Sequence, residues 1–197
     1  ENRVLVKYGL QVMENSKHPG LTALLEECGL KGKKLKAGQI AFIVAPRINA
    51  AGRMDTARMA LNLLLEDDFE EALFRAKELT AENQRRQAAE KIILEEAESI
   101  LNQGEIPPVI VLSSPAWHHG VIGIVASRLV EKYLRPVFLI SEEEDIAKGS
   151  ARGIEDYNVI GELAKADNLL LKYGGHKQAA GFTLLKENID PLRQFLI

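Results

Sequence analysis

Between Asp68 and Asn102 the chain reads DFEEALFRAKELTAENQRRQAAEKIILEEAESILN, with no proline or glycine until Gly104 and Pro107-Pro108 bring it to a stop. Apolar side chains recur at Phe69, Leu73, Ala76 and Leu79, then at Ile93, Ala97 and Ile100. Between them Asn83-Gln84-Arg85-Arg86-Gln87 is polar all round. At 1.5 Å per residue the stretch predicts one helix of roughly 50 Å. Apolar ends around a polar middle predict a helix that links two domains, whereas a helix lying along one core would carry an unbroken stripe. The chain therefore divides into residues 1–65, a linking helix at 66–106, and a second domain at 107–197.

On the N-terminal side the periodicity is helical. Helices are predicted over 4–13, over 21–28 with Gly29 as its stop, over 39–45, and over 57–65 with Asp55 or Thr56 as its cap. Residues 31–36, rich in lysine, read as a loop, and no strand is predicted before the long helix. Beyond Pro108 the period changes. Strands are predicted at 109–112, 137–140 and 148–152, helices at 121–133 and 159–171, and an extended segment at 179–184. Alternating strands and helices make the second domain a small mixed α/β unit, and the fold class α/β overall. The acidic run 142–145 reads as a solvated hairpin tip.

With 197 residues, 46% of them hydrophobic and 27% charged, the chain has the composition of a folded globular protein. No apolar stretch approaches the roughly 20 residues a membrane helix needs. Glu1-Asn2-Arg3-Val4-Leu5 lacks the form of a signal peptide, so a cytoplasmic location without membrane contact is expected. The single Cys28 has no basic or histidine neighbour close in sequence and reads as helix-end packing. A net charge of −3 argues against a broadly basic coat for nucleic acid, so any such contact should be local and made by a few arginines. Both ends fall inside a helical period, and the chain is expected to be a piece of a longer protein.

Four segments carry chemistry. In Tyr173-Gly174-Gly175-His176 the glycines let a backbone turn and let a ligand approach the main chain, and the histidine adds a donor, acceptor or charge. This segment is expected to form a turn between helix and strand at a sheet edge, with Ala179, Ala180 and Gly181 serving close packing. In Gly149-Ser150-Ala151-Arg152 a hydroxyl and a guanidinium two residues apart point to one side of a strand end, a pair suited to phosphate or simply to solvent. Trp117-His118-His119-Gly120 precedes a helix whose free N–H groups suit an anion. Metal binding by the two histidines would need further ligands that are not near in sequence. Trp117 reads as packing or as a platform for a base. In Pro46-Arg47-Ile48-Asn49-Ala50-Ala51-Gly52-Arg53 two arginines and Asn49 in a turn before a helix either cradle phosphate or pin the segment to carboxylates. Arg128, Gln84 and Arg85 are further candidates for the same cleft.

Together these segments closely resemble the C-terminal half of the RecJ family, single-strand-specific exonucleases of the DHH/DHHA1 phosphoesterase superfamily. The resemblance implies that Ser150 and Arg152 hold a 5′ phosphate. It further implies that Gly174, Gly175 and His176 face the active site, with His176 supporting catalysis through substrate phosphate, and that His118 is the family's histidine beside a variable residue at His119. The segment carrying Arg47, Asn49 and Arg53 is the most particular to the family. Catalysis in the superfamily depends on paired metal ions, manganese or magnesium, held by an N-terminal domain whose motifs do not occur here. No metal is therefore expected in this chain, and the chain alone should be inactive. Implied partners are single-stranded DNA with a 5′ phosphate and a single-strand-binding protein or helicase, in recombination and repair. Two other functions stay open: cleavage of short oligoribonucleotides or cyclic dinucleotides, and a non-catalytic scaffold that binds nucleic acid.

Overall fold

A single helix, Phe69–Leu101, fills the stretch free of proline and glycine, in a computed structural model that describes residues 1–197. The chain forms two units, Glu1–Gln87 and Ala88–Ile197, and the long helix is divided between them. Its middle is not solvated all round. Asn83 is buried and accepts from Arg86 Nε at 3.3 Å, while Arg85 pairs with Glu82 at 2.7 Å.

The first unit is helical. Helix α1 (Asn2–Glu14) buries none of its residues, and its apolar Val4, Leu5, Tyr8 and Val12 stay exposed. Helix α2 (Pro19–Glu27) begins on Pro19, where the missing N–H costs nothing. It ends at Gly29, whose N–H bonds Glu26 while that of Leu30 bonds Leu25. Leu24, Leu25 and Ala23 pack with Leu63, Ala72, Ala76 and Leu79 in the core of this unit. Cys28 lies half-buried against that core, and burial pushes its thiol up despite the opposing charge of Arg47, as suits packing rather than reactivity.

The next segment departs from expectation. The predicted helix at 39–45 and the turn expected at 46–53 are one helical run: α3 (Ala37–Gln39), a π turn (Ile40–Val44) and α4 (Ala45–Met54). Proline in a regular helix lacks a donor and clashes with the preceding turn. Here Pro46 falls just after a π turn, where Ala45 N–H already bonds the distant carbonyl of Ile40, and the wider turn absorbs it. Helix α5 (Arg58–Leu64) follows, with the Thr56 hydroxyl accepting from Arg58 N–H at 3.3 Å. Phe69–Leu101 is α6.

The second unit is a mixed five-stranded sheet with helices on both faces. Its elements are β1 (Ile110–Ser114), α7 (His119–Tyr133), β2 (Val137–Glu142), β3 (Ile146–Arg152), α8 (Val159–Lys165), β4 (Leu170–His176), β5 (Ala179–Leu185) and α9 (Ile189–Leu196). The strand order is β1-β2-β3-β5-β4, with β1 and β2 parallel and the other pairs antiparallel. One face packs Val111, Phe138, Ile140, Phe182 and Leu184 against Val159 and Leu163 of α8 and Leu192 and Leu196 of α9. Tyr157 meets Phe138 edge-on there, and burial pushes its phenol up to about 12.

Helix α7 packs on β2 and β3 on the opposite face and leaves that side of β5 and β4 uncovered. The C-terminal end of α6 is tied to α7 and to the segment before it. Glu90 pairs with Arg128 at 2.6 Å, Glu98 with Lys132 at 2.8 Å, and Glu96 accepts from Trp117 Nε1 at 2.7 Å. The helix predicted over 159–171 is shorter than expected. It stops at Lys165, and Leu170 opens a strand instead.

Candidate nucleic-acid interface

The uncovered face of β3, β5 and β4 is laid out by strand register. Residues directly opposite one another share a face, and alternate residues along each strand return to it. Three rows result: Arg152, Ala179 and His176; then Ser150, Gly181 and Gly174; then Lys148, Thr183 and Lys172. Cations or histidine stand at the four corners, and the centre is nearly bare. The second and third rows, with His119 and Ile122 of α7, line an open cleft of about 460 Å³, and the row of Arg152, Ala179 and His176 continues the same face past its end.

Small residues make that cleft possible. A Cβ on Gly123 of α7 would lie 2.9 Å from Ser150 Oγ and 3.0 Å from an Arg152 nitrogen, so a larger residue there would push the hydroxyl and the guanidinium out of these positions. Ser150 and Arg152 share a side of β3, as predicted, and Arg152 donates to Ser150 Oγ at 3.0 Å and to the Ala151 carbonyl at 2.8 Å. These bonds hold the guanidinium over the sheet at the cleft's edge.

Gly174-Gly175-His176 is not the expected turn. It is the end of β4, paired with Gly181, Ala180 and Ala179 of β5, and the chain reverses at Lys177-Gln178. Gly175 has φ of 151°, and a Cβ there would lie 2.3 Å from the Ala179 carbonyl oxygen. The glycine is needed for close strand pairing rather than for turning. Gly174 has nothing within 4 Å of where a Cβ would stand, so its bareness keeps the cleft open. Gly181, expected to serve packing, lies opposite it on the cleft floor.

At the cleft's margin His118 caps α7, its Nδ1 accepting from Gly120 N–H at 3.1 Å, which leaves a neutral ring's proton on Nε2. Its ring stacks on His119 with centroids 5.0 Å apart. His119 Nδ1 lies 3.4 Å from Glu143, whose carboxyl is held below the usual carboxylate range first by the hydrogen bond from Lys148. Trp117 is buried, and its carbonyl accepts from the Ser141 hydroxyl at 2.6 Å, which makes it a packing residue. No group of three or more His, Cys, Asp or Glu side chains is arranged to hold a metal ion, so the paired-metal centre implied by the family does not fit residues of this chain.

The other candidates lie elsewhere. Arg47, Asn49 and Arg53 belong to α4 in the first unit. Arg47 donates to the Thr80 hydroxyl at 3.1 Å and to the Ile43 carbonyl at 2.7 Å, a pinning role served by neutral oxygens rather than the carboxylates expected. Asn49 and Arg53, four apart on the helix, are both exposed on one face. Gln84 and Arg85 are exposed on α6, and Arg128 is engaged by the buried Glu90. Lys148, Lys172 and Thr183 escaped the sequence reading. Their signal was alternation with Ser150, Gly174 and Gly181, which appears only once the register of three strands is known.

A five-stranded mixed sheet with this cleft over its β3-β5-β4 side defines a DHHA1 domain, and residues 107–197 match that family. The single-stranded-DNA-specific exonuclease RecJ of Thermus thermophilus is 45% identical over 184 residues, which cover 93% of this chain and 26% of that protein. RecJ of Bacillus subtilis is 37% identical over 199 residues, covering 100% of this chain and 25% of that protein. Crystal structures of Thermus thermophilus RecJ in complex with Mg²⁺ and with Mn²⁺ superpose with TM-scores of 0.87 and 0.88 at 42% identity. They cover 99% of this chain and 30% and 29% of theirs. Residues 107–197 belong to the DHHA1 family, and the chain, similar to RecJ over nearly its whole length, spans about a quarter of the length of these relatives.

Proposed function

We propose that this chain is the strand-gripping part of a 5′→3′ exonuclease specific for single-stranded DNA. The observation that carries the reading is the cleft and the row at its end: Ser150 and Arg152 fixed beside each other, His176 across the sheet in the row of Arg152, and bare Gly181 and Gly174 across from Ser150. A guanidinium held over a hydroxyl suits a terminal phosphate, because a charge-assisted bond is stronger than a neutral one and requires no rearrangement on binding. Arg152 and Ser150 hold the 5′ phosphate and fix the strand's register, while His176 contacts the phosphodiester to be cleaved. Asn49 and Arg53 contact the sugar–phosphate backbone. Such contacts carry no base identity, which fits an enzyme that must proceed through any sequence.

Divalent metal ions supply the activated water of hydrolysis, and the remainder of the intact protein holds them. In this reading the intact protein acts on single strands in repair and recombination, with a single-strand-binding protein or a helicase as partner and in the cytoplasm. The test compares the intact protein with this chain alone on 5′-phosphorylated single strands in Mn²⁺ or Mg²⁺. The intact protein should degrade them from the 5′ end, and the chain alone should bind without cutting. Robust hydrolysis by the chain alone would overturn the division of labour.

A further inference from the structure

In the first unit, the residues assigned above to the sugar–phosphate backbone border a second concave surface. Ile48, Asn49 and Gly52 of α4, with Ala57 just before α5 and Leu61 and Leu64 on it, line an open groove of about 360 Å³. Leu61 is 53% exposed and Leu64 37%, so this aliphatic wall is not used by the unit's own core. A Cβ on Gly52 would meet only Ala57, at 3.6 Å from its Cβ, which is ordinary contact, and its φ is not in the left-handed region. Glycine inside a helix is destabilising relative to alanine, and since neither crowding nor backbone demands it here, what Gly52 preserves is the open groove. The rim carries no negative charge. No carboxylate lines the groove, although the chain has a net charge of −3. Asn49 makes no side-chain hydrogen bond, Arg53 follows it one turn along α4, and Arg58, one turn before Leu61, is exposed without an ion pair. An apolar wall beside an amide and two guanidiniums matches a nucleotide of a single strand, whose base has a flat apolar face and whose backbone is anionic.

We propose that the α4–α5 groove holds one nucleobase of the bound strand, its face against Gly52, Leu61 and Leu64, while the sugar and phosphate of that nucleotide meet Asn49 and Arg53 at the rim. The assignment rests on reading Asn49 and Arg53 as strand contacts. An aliphatic wall takes the face of any base, and the open side leaves the base's polar edge in water. The groove therefore adds grip on a strand without choosing its sequence.

The experiment measures binding of the intact protein, in EDTA so that hydrolysis is off, to 5′-phosphorylated dodecathymidylate and to the same sugar–phosphate chain without bases, with a melting curve for each variant. Gly52→Leu fills the groove with a better helix former, and it should weaken the thymidylate about tenfold while leaving the abasic strand within about a factor of two and the melting temperature unchanged or raised. Leu61→Ser, a second variant at an exposed position, trims the wall instead and should shift the two strands in the same unequal way. If the unmodified protein binds neither strand, the strand-binding reading itself fails and the base site with it. If it binds but both variants weaken the two strands alike, or weaken neither, the strand-binding reading stands and the base site is refuted. Equal losses accompanied by a lower melting temperature would assign the groove to packing against the rest of the intact protein, which refutes the base site as well.

Discussion

In the intact protein, Arg152→Ala should weaken a 5′-phosphorylated single strand by one to two decades and a 5′-hydroxyl strand far less. A charge-assisted bond to phosphate is worth roughly 1.5–3 kcal/mol, and each 1.36 kcal/mol is about a factor of ten. The hydroxyl strand offers no terminal phosphate, so it has little to lose. Arg152 also donates to Ser150 and to the Ala151 carbonyl, and a purely structural arginine would penalise both strands alike or lower the melting temperature. His176→Ala should behave differently, slowing turnover on both strands, because the proposal sets it at the bond to be cut rather than at the end. Steady-state rates on the two substrates, with a melting curve for each variant, separate these outcomes. Equal losses on both strands with the fold intact would remove Arg152 from the terminal-phosphate contact.

The second large effect sits in the glycine pair and takes a different form in each member, stability in one and binding in the other. Gly175→Val should destabilise the second unit by about 2–6 kcal/mol, combining a strained backbone conformation with overpacking. The φ of 151° disfavours any side chain, and a Cβ would meet the Ala179 oxygen at 2.3 Å and the Ala180 Cα at 2.5 Å. Against a stability of order 5–15 kcal/mol the fold becomes marginal, and the melting temperature should fall by roughly 10 °C or more. Gly174→Val should leave the melting temperature nearly unchanged, since nothing lies within 4 Å of the added Cβ, yet it should obstruct the cleft and weaken strand binding. Calorimetric melting and oligonucleotide binding on the two variants check both halves. A stable Gly175→Val, or a Gly174→Val that binds as before, would contradict this account of the pair.

The two glycines also mark where sequence stops being informative. The long helix, the helical first half and the α/β second half were legible, because periodicity over many residues and the breakers at Gly104, Pro107 and Pro108 are local signals. Ser150 and Arg152 were legible for the same reason, as residues two apart on one strand share a face. Gly174-Gly175-His176 was misread as a turn because glycine has poor strand propensity, and its pairing with β5 is fixed by contacts that no local pattern encodes. Lys172 was invisible on the same grounds. The helix through Pro46 was hidden by the usual rule that proline stops a helix, which the π turn at Ile40–Val44 overrides. Arg47 then turns inward to Thr80, while Asn49 and Arg53 stay outside.

The claim that the β3-β5-β4 cleft grips the phosphates of a single strand is tested most directly by amide NMR spectra of this chain titrated with 5′-phosphorylated tetrathymidylate. The largest shifts should fall on Ser150, Arg152, Lys172, Gly174 and Gly181, and those at Ser150 and Arg152 should shrink when the strand carries a 5′ hydroxyl. Shifts confined to the α8 and α9 face, or none at a saturating strand concentration, would contradict it.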